Sequence, residues 1–228
     1  MEQGAFVPRR SISDNVSAAQ EIVHSLCNAF RANALFMAKI DMEHAYDRMR
    51  WEFVEGVLHC FGFNEKWCRW VKACLSRPSF AALVNGSAIS WFESRMGLRQ
   101  GCPLSPYIFI LCSEMLSLKL KYLTNSGSIR GFQPCVNNSQ VCHLLYADDC
   151  LIFSKATPQN ADRVTEAIDQ YCQISEQGVN LAKSIVVFSP CLHRRHRRRI
   201  ASILRMQQQE GSWVYLCVPL SISDVKHS

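Results

Sequence analysis

The chain has 228 residues, of which 48% are hydrophobic, so it is long enough to bury one substantial core and too apolar to be disordered. Its 25 basic and 19 acidic residues leave a net charge of +6, which suits a polyanionic partner without requiring one. The sequence contains no uncharged apolar run of about 18 residues, so we expect neither a membrane span nor a membrane partner.

Twelve cysteines would suit a disulfide-rich protein, but the sequence has neither a signal peptide nor a Cys-x-x-Cys pair. Several of them, including Cys60, Cys74, Cys112 and Cys172, lie within apolar periodic runs. We therefore expect buried free thiols in an intracellular protein of the nucleus or cytoplasm that is not secreted.

The first predicted helix follows an arginine-containing segment near the start of the chain. Its apolar positions recur at helical spacing at Ala19, Ile22, Val23 and Leu26. Ser13 or Asp14 is the expected N-cap. Arg10, just before the helix, is compatible with a solvated turn.

The run Leu35–Ile40 is almost continuously apolar, which predicts a strand buried on both faces. This strand ends at Asp41. Five residues later comes Tyr46, for which a packed core position is the simplest interpretation. Asp47 is the expected N-cap of a helix that Gly62 ends.

A second helix is predicted from Asn64, and it ends before Pro78. Its apolar stripe consists of Trp67, Trp70, Val71 and Cys74, which we interpret as core residues. Beyond it, Asn85-Gly86 separates two apolar segments and predicts a β-hairpin.

A glycine-flanked loop follows, with Gln100 and Gly101 at its centre. Such a loop leaves the backbone open to close approach by a ligand, although Gly-x-x-Gln-Gly alone also fits an ordinary loop-to-helix turn. The next helix is predicted to begin with Ser105 as N-cap and Pro106 in its first turn.

Residues 143–153 contain two apolar runs that read as strands, joined by Tyr146-Ala147-Asp148-Asp149. Taken alone, this segment also fits an ordinary aspartate-containing turn. Together with Asp41 it supplies carboxylates from separate segments, as phosphoryl transfer by two metal ions roughly 3.5–4 Å apart requires.

The last third of the chain contains another capped helix opened by Thr157-Pro158 and a polar segment that includes Lys183. A dense basic run at residues 193–199 then covers the exposed face of a predicted short helix, where it is either solvated or in contact with phosphates. A predicted strand element follows at residues 215–220.

These blocks, in this order, resemble the palm of a LINE-type (non-LTR retrotransposon) reverse transcriptase, and the resemblance covers nearly the whole chain. Its motifs are Phe6-Val7-Pro8-Arg9-Arg10, Ile40-Asp41 with Tyr46, Gly97-Leu98-Arg99-Gln100-Gly101, Tyr146-Ala147-Asp148-Asp149, residues 175–184 and residues 215–220. The chain departs from the family pattern at Arg9, Glu176 and Cys217, where relatives have glycine, and at His44, where lysine is usual.

The resemblance implies an α+β fold with a polymerase-type palm: a small antiparallel sheet carries the aspartates at its strand ends, and helices pack on one face. Residues 1–34 would form the junction of partial fingers with the palm. Residues 35–228 would form the palm, ending at a strand that resembles a primer grip, with the thumb absent.

The resemblance also implies the chemistry. Asp41 and Asp148 would ligate two Mg²⁺ ions, for which Mn²⁺ can substitute, with Asp149 as a further ligand or a neighbour. Lys183 would neutralise or protonate the departing pyrophosphate, although a surface lysine is an equally good interpretation. Three further residues, Tyr46, Gln100 and Gly101, would shape the nucleotide pocket, and Arg10 would approach the nucleotide or template. The implied partners are an RNA template, a DNA primer and deoxynucleoside triphosphates.

Three functional hypotheses follow. The chain is an RNA-directed DNA polymerase domain that is active as part of a longer polypeptide, a non-catalytic nucleic-acid-binding remnant, or an inert relic of a retrotransposon. The intact aspartates Asp41, Asp148 and Asp149 favour the first hypothesis. The expected truncations, together with the four departures from the family pattern, favour the other two.

Overall fold

The computed structural model describes residues 2–76, 78–133 and 140–222. The α-helices of this part of the chain are α1 (Ile12–Cys27), α2 (Trp51–Cys60), α3 (Glu65–Leu75), α4 (Ser105–Asn125), α5 (Pro158–Ser175) and α6 (Arg194–Leu204). The strands are β1 (Leu35–Ile40), β2 (Met42–Glu43), β3 (Ser79–Phe80), β4 (Leu83–Val84), β5 (Ser87–Ala88), β6 (Phe92–Glu93), β7 (His143–Tyr146), β8 (Asp149–Lys155), β9 (Gly178–Val179), β10 (Ile185–Phe188), β11 (Gln207–Gln208), β12 (Ser212–Tyr215) and β13 (Val218–Ser221). None of the helices in the described ranges has the length and apolarity needed to cross a membrane.

A five-stranded sheet with the order β11-β10-β1-β8-β7 forms the centre of the molecule. Its pairs are antiparallel except at one edge, where β10 and β11 run parallel. The central strand β1 pairs with β8 on one side and β10 on the other, and Ile40 lies opposite Cys150 near the end of the strand. The predicted strand Leu35–Ile40 is therefore confirmed.

Both faces of this sheet are covered. Helices α4, α5 and α6 pack on the first face against Phe36, Ala38 and Ile40 of β1. Helix α1 and the β12–β13 hairpin pack on the second face, where β1 contributes Leu35 and Met37. The predicted α+β palm is confirmed, but its second face is also covered, because β1 and β8 carry apolar side chains on both sides.

A third apolar cluster joins α2, α3 and the first half of α4. Within α3 the buried residues are Cys68, Val71 and Leu75, whereas Trp67 and Trp70 are 39% and 55% exposed. The prediction that both tryptophans belong to the core is therefore wrong. The helix is rotated so that its smaller apolar residues face α2.

Several predicted helix starts are corrected by the structure. The N-cap of α1 is Ser11, whose hydroxyl accepts from the Ser13 amide while Asp14 accepts from the Ser11 amide. Asp47 caps no helix, because α2 begins only after Arg50. Ser105 is already the first helical residue of α4. The predicted start of a helix at Asn64 and the predicted cap at Thr157 are confirmed, and Asn64 is the N-cap of α3.

The cysteine prediction is confirmed in part, since all the described cysteines are free thiols. Cys112 is buried and Cys172 is partly buried. Cys60 and Cys74 are exposed, so their predicted burial is wrong. They lie on the outer sides of α2 and α3, because the core side of each helix is already filled by other apolar residues.

The positions at which the sequence departs from the family glycines share one backbone conformation. Arg9, Glu176 and Cys217 have φ angles of 64°, 60° and 64°. This left-handed region is readily adopted by glycine and costs other residues roughly 1–2 kcal/mol. Each substitution therefore leaves the turn in place at an energetic cost.

The loop before α4 approaches the segment after β2 very closely. The Gly97 amide donates to the Met49 carbonyl at 2.8 Å, and the Leu98 amide donates to the Tyr46 carbonyl at 2.7 Å. A Cβ atom at Gly97 would lie 2.6 Å from the carbonyl oxygen of Asp47. The contact between the two segments therefore requires glycine at this position.

A buried histidine lies behind the acidic hairpin. His143 on β7 is 1% exposed, and its Nε2 lies 2.9 Å from the Ser117 hydroxyl on α4. Burial lowers the pKa of His143 from 6.5 to about 4, although the nearby charge of Glu2 acts in the opposite direction. His143 is therefore neutral in the folded protein at pH 7.

We expect the protein to lose stability on mild acidification because of His143. Its unfolded form binds a proton more tightly, so this stability is present above pH 6.5 and is lost as the pH falls toward 4. The free energy of unfolding should fall by about 2 kcal/mol between pH 7 and pH 5 from this group alone. Urea titrations should show this loss in the wild type and a much smaller loss in His143→Gln, and equal losses would contradict the assignment.

We also expect Gly97→Ala to lower the free energy of unfolding by at least about 3 kcal/mol, because backbone strain and the clash with Asp47 add together. Gly101→Ala is the matched control: Gly101 also has a positive φ angle, of 81°, but a Cβ atom there meets open space. The control should lose only about 1 kcal/mol. Similar losses in the two variants, measured by urea unfolding, would show that the close approach does not constrain the loop.

Candidate functional site

Three aspartates meet at one end of the central sheet. Asp41 immediately follows β1, and Asp148 precedes Asp149, the first residue of β8. Because Ile40 pairs with Cys150, the antiparallel register brings Asp41 beside Asp149 one residue further along. The structure thus brings together carboxylates that are more than 100 residues apart in the sequence.

The charges of both other aspartates act on Asp149. Burial raises the pKa of Asp149, the ammonium group of Lys39 acts against this, and the charges of Asp148 and Asp41 raise it further. The Lys39 Nζ atom lies 3.8 Å from Asp149 Oδ1. The site therefore concentrates negative charge that a single lysine only partly offsets.

Within the described ranges, no three histidine, cysteine, aspartate or glutamate side chains are grouped closely enough to hold a metal ion. The chemistry of the carboxylates nevertheless fits a divalent cation. Their oxygens are the hard ligands that Mg²⁺ prefers, and a cation would relieve the repulsion that Asp149 experiences.

The backbone of Asp41 is held by the segment around β9. Its amide donates to the Ser184 hydroxyl at 3.0 Å, and its carbonyl accepts from the Asn180 amide at 2.8 Å. The next residue, Met42, pairs with Val179. These bonds fix the direction in which the chain leaves β1, and they connect the segment that contains Lys183 to the site.

The acidic turn is held by the N-terminal segment, which sequence reasoning missed. Buried Gln3 lies beside Leu145 at the outer edge of β7, and its side-chain oxygen accepts from the Ala147 amide at 3.3 Å. Asn15 donates to the Leu145 carbonyl at 2.9 Å. These contacts span more than 100 residues, so no local sequence signal could have revealed them.

Tyr46 lies between the core and the acidic turn. Its ring stacks on Phe109, with centroids 4.9 Å apart, and its side chain remains partly exposed. Burial raises the pKa of Tyr46, and the charge of Asp148 raises it further. The residue thus has the predicted core contact and also lies near a site carboxylate.

Gln100 and Gly101 lie in the loop before α4. The Gln100 amide group donates to Asp47 Oδ1 at 3.1 Å, which connects this loop to the segment after β2. A cavity of about 440 Å³ opens beside it and is lined by Asp47, Gln100 and Ser105 among others. Asp47, predicted as a helix cap, is thus instead a partner of Gln100.

Two other predicted residues have structural contacts of their own. The Arg10 guanidinium donates to the Gln3 carbonyl at 3.1 Å and so supports the segment behind the acidic turn. Lys183 is exposed, and its backbone amide donates to Asn180 Oδ1. Within the described part of the chain, the Lys183 ammonium group forms no ion pair with Asp41, Asp148 or Asp149.

Lys39 is a further site residue that sequence reasoning missed. Besides contacting Asp149, its ammonium group donates to the Val214 carbonyl on β12 at 3.1 Å. It therefore connects the carboxylates to the β12–β13 hairpin, on the second face of the sheet. The sequence does contain a signal for this role, because Lys39 is the charged residue of the apolar run that precedes Asp41.

Comparisons with known proteins agree with this geometry. Residues 1–220 match the family model described as "Reverse transcriptase (RNA-dependent DNA polymerase)". The chain is 27% identical over 186 residues to the transposon TX1 uncharacterized 149 kDa protein of Xenopus laevis, a match that covers 80% of this chain and 13% of the relative. It is 42% identical over 67 residues to an uncharacterized mitochondrial protein of Arabidopsis thaliana, covering 29% of this chain and 55% of the relative.

Solved telomerase structures share the fold. Apo telomerase from Candida tropicalis, truncated from its C-terminal domain, aligns with a TM-score of 0.65 and 15% identity, covering 99% of this chain and 40% of the other. Telomerase from Candida albicans, in complex with a fragment of telomeric RNA, aligns with a TM-score of 0.66 and 14% identity, covering 98% and 35%. The chain thus spans well under two thirds of these relatives. The family match over residues 1–220 confirms the sequence prediction: the chain belongs to the reverse transcriptase family.

Proposed function

We propose that this chain provides the palm of an RNA-directed DNA polymerase of LINE-type retrotransposon origin, which transfers nucleotides to a primer 3′-hydroxyl. The observation that carries the proposal is the convergence of Asp41, Asp148 and Asp149 at one end of the sheet. The relative named as a transposon protein supports the origin. Residues 1–34 are proposed as the junction with the fingers, and residues 35–228 as the palm.

Asp41 and Asp148 are the proposed ligands of two Mg²⁺ ions, or of Mn²⁺ in their place, with Asp149 beside them. The bound metals would make the primer 3′-hydroxyl more acidic and would stabilise the negative charge on the phosphates. Mg²⁺ suits this role because it takes few protein carboxylates and keeps other positions for water and phosphate oxygens.

The residues around the carboxylates position the incoming deoxynucleoside triphosphate. Tyr46 is braced by Phe109 and faces the charge of Asp148, so its ring forms a firm wall of the nucleotide pocket. Gln100 is fixed by Asp47, and Gly101 leaves the adjoining backbone open. Lys183 is proposed to give a proton or its charge to the leaving pyrophosphate. The assignment of Arg10 to nucleotide binding remains a prediction.

The proposed partners are an RNA template, a DNA primer and deoxynucleoside triphosphates. The related Candida telomerase has been solved with a fragment of telomeric RNA, which supports an RNA partner for this fold. Base pairing supplies the sequence information, so the protein needs to recognise only duplex shape and backbone. The free thiols favour a reducing compartment such as the nucleus or cytoplasm.

A second candidate function is nucleic-acid binding without catalysis. The left-handed φ angles of Arg9, Glu176 and Cys217 favour it. At these three turns a non-glycine residue strains the backbone, at positions where the sequence departs from the family pattern. Such a chain would keep its fold and its charge while lacking turnover.

We expect primer extension on an RNA template with Mg²⁺ to depend on the converging carboxylates. Asp41→Asn and Asp148→Asn should each lower the rate at least about 100-fold, because each removes a proposed metal ligand. Asp162→Asn is the matched control, since Asp162 is exposed on α5. The control should extend the primer at the wild-type rate.

Two outcomes would contradict the proposal. Undiminished extension by Asp148→Asn would show that the acidic turn is not the site. No extension by a longer polypeptide that contains the folded wild-type chain, combined with retained RNA binding, would favour the non-catalytic function instead.

A further inference from the structure

Helix α6 carries four arginines on one face: Arg194, Arg195, Arg198 and Arg199. At 100° per residue they fall within an arc of about 140°, opposite the buried residues Ile200, Ala201 and Leu204. All four side chains are exposed. We call this surface the arginine face.

No carboxylate in the described part of the chain forms an ion pair with the arginine face, whereas three of the lysines and arginines on the other helices have one. Lys72 pairs with Glu55, Arg163 with Glu166, and Arg205, next to α6, with Asp169. Without these four arginines the net charge of the chain would be 21 − 19 = +2 instead of +6. The basic excess of the protein is therefore concentrated on one helix.

This arrangement opposes helix formation. The arginines at the start of α6 place positive charge at the positive end of the helix dipole, where the first turn contains no acidic residue. Pairs at i and i+4, such as Arg194 with Arg198, also repel each other. A bound polyanion would turn both of these unfavourable terms into attraction.

The helix is nevertheless fixed firmly to the body of the protein. Arg197, the arginine of the run that is not on the arginine face, donates to the carbonyls of Leu192 at 2.7 Å and of Pro190 at 2.6 Å. Ile200 and Leu204 are buried in the cluster on the first face of the sheet. The arginine face is thus a rigid surface, and one arginine of the basic run has a purely structural role.

The arginine face and the Lys39–Asp149 ion pair lie on opposite sides of the sheet. Helix α6 belongs to the cluster on the first face of the sheet, where it packs against α5 and β11. Lys39 contacts Asp149 and also donates to the Val214 carbonyl of the β12–β13 hairpin, which covers the second face. The sheet therefore separates the arginine face from this ion pair.

We propose that the arginine face is a second nucleic-acid-binding surface, which contacts the phosphodiester backbone of a strand outside the proposed catalytic site. Guanidinium groups in a row suit phosphates, and such contacts supply affinity without any base recognition. The arc contains no exposed apolar side chain to insert into a membrane or to anchor a protein partner. Phosphate binding here does not depend on the proposed catalytic function.

The test measures the salt dependence of binding to an unprimed 20-nucleotide single strand, as RNA and as DNA, by fluorescence anisotropy. Arg195→Gln/Arg199→Gln removes two charges from the arginine face. Arg31→Gln/Arg69→Gln is the matched control, because it removes two exposed charges elsewhere. The negative slope of log K against log salt should become shallower by about 1.4 in the first variant and stay unchanged in the control.

The α6 variant should unfold at the wild-type urea concentration or a higher one, because the substitutions relieve like-charge repulsion within α6. The control should unfold at the wild-type urea concentration. A stronger effect on RNA than on DNA would identify RNA as the bound strand, and equal effects would identify the backbone alone. Identical slopes for the wild type and the α6 variant would overturn the proposal. Loss of binding to phosphatidylserine vesicles in the α6 variant, with nucleic-acid binding unchanged, would also overturn it.

Asp148→Asn separates this proposal from the catalytic one. It should stop primer extension and leave the salt slope of the unprimed strand at the wild-type value. If it instead tightened binding of the unprimed strand or changed its salt slope, the strand would be bound at the carboxylates, and the arginine face would have no separate role.

Discussion

The antiparallel pairing of β1 with β8 is the constraint on which the rest of the site depends. The register that sets Ile40 opposite Cys150 also sets Asp41 beside Asp149, and a shift by one residue would turn the apolar side chains of β1 to the wrong faces. Because β1 is buried on both faces, apolar clusters on each side oppose such a shift. The burial of the central strand therefore fixes the position of the charged groups at its end.

This arrangement places like charges close together, and the surrounding polar contacts hold them there. Most of these contacts are hydrogen bonds of neutral groups. Gln3 binds the backbone of the acidic turn, and Ser184 and Asn180 bind the backbone of Asp41. None of these bonds neutralises a carboxylate. Lys39, the cation that contacts Asp149, is shared with the β12–β13 hairpin. The negative charge of the site is thus left largely available for an external cation.

Much of the site could be predicted from the sequence, because its signals are local. The continuous apolar run before Asp41 and the paired aspartates after Tyr146 each specify their own element, and the order of the motifs identified the family. The supporting contacts could not be predicted, because Gln3 and Asn15 act on residues more than 100 positions away. The buried face of α3 was predicted wrongly. The helix buries Cys68 and Val71 and leaves its larger tryptophans at the surface. Helical periodicity alone does not show which apolar side chains are small enough to fit between two helices.

The most direct test of the central claim is a double-mutant cycle on metal binding, with Mn²⁺ titrated into the folded protein and followed by calorimetry. If Asp41 and Asp148 share cations, Asp41→Asn and Asp148→Asn should each weaken binding by at least about tenfold, and the double variant should lose little more than either single variant, because residues that act on one site are not additive. Losses that add in full, or a single variant that binds Mn²⁺ like the wild type, would show that the two carboxylates act separately and would contradict the account.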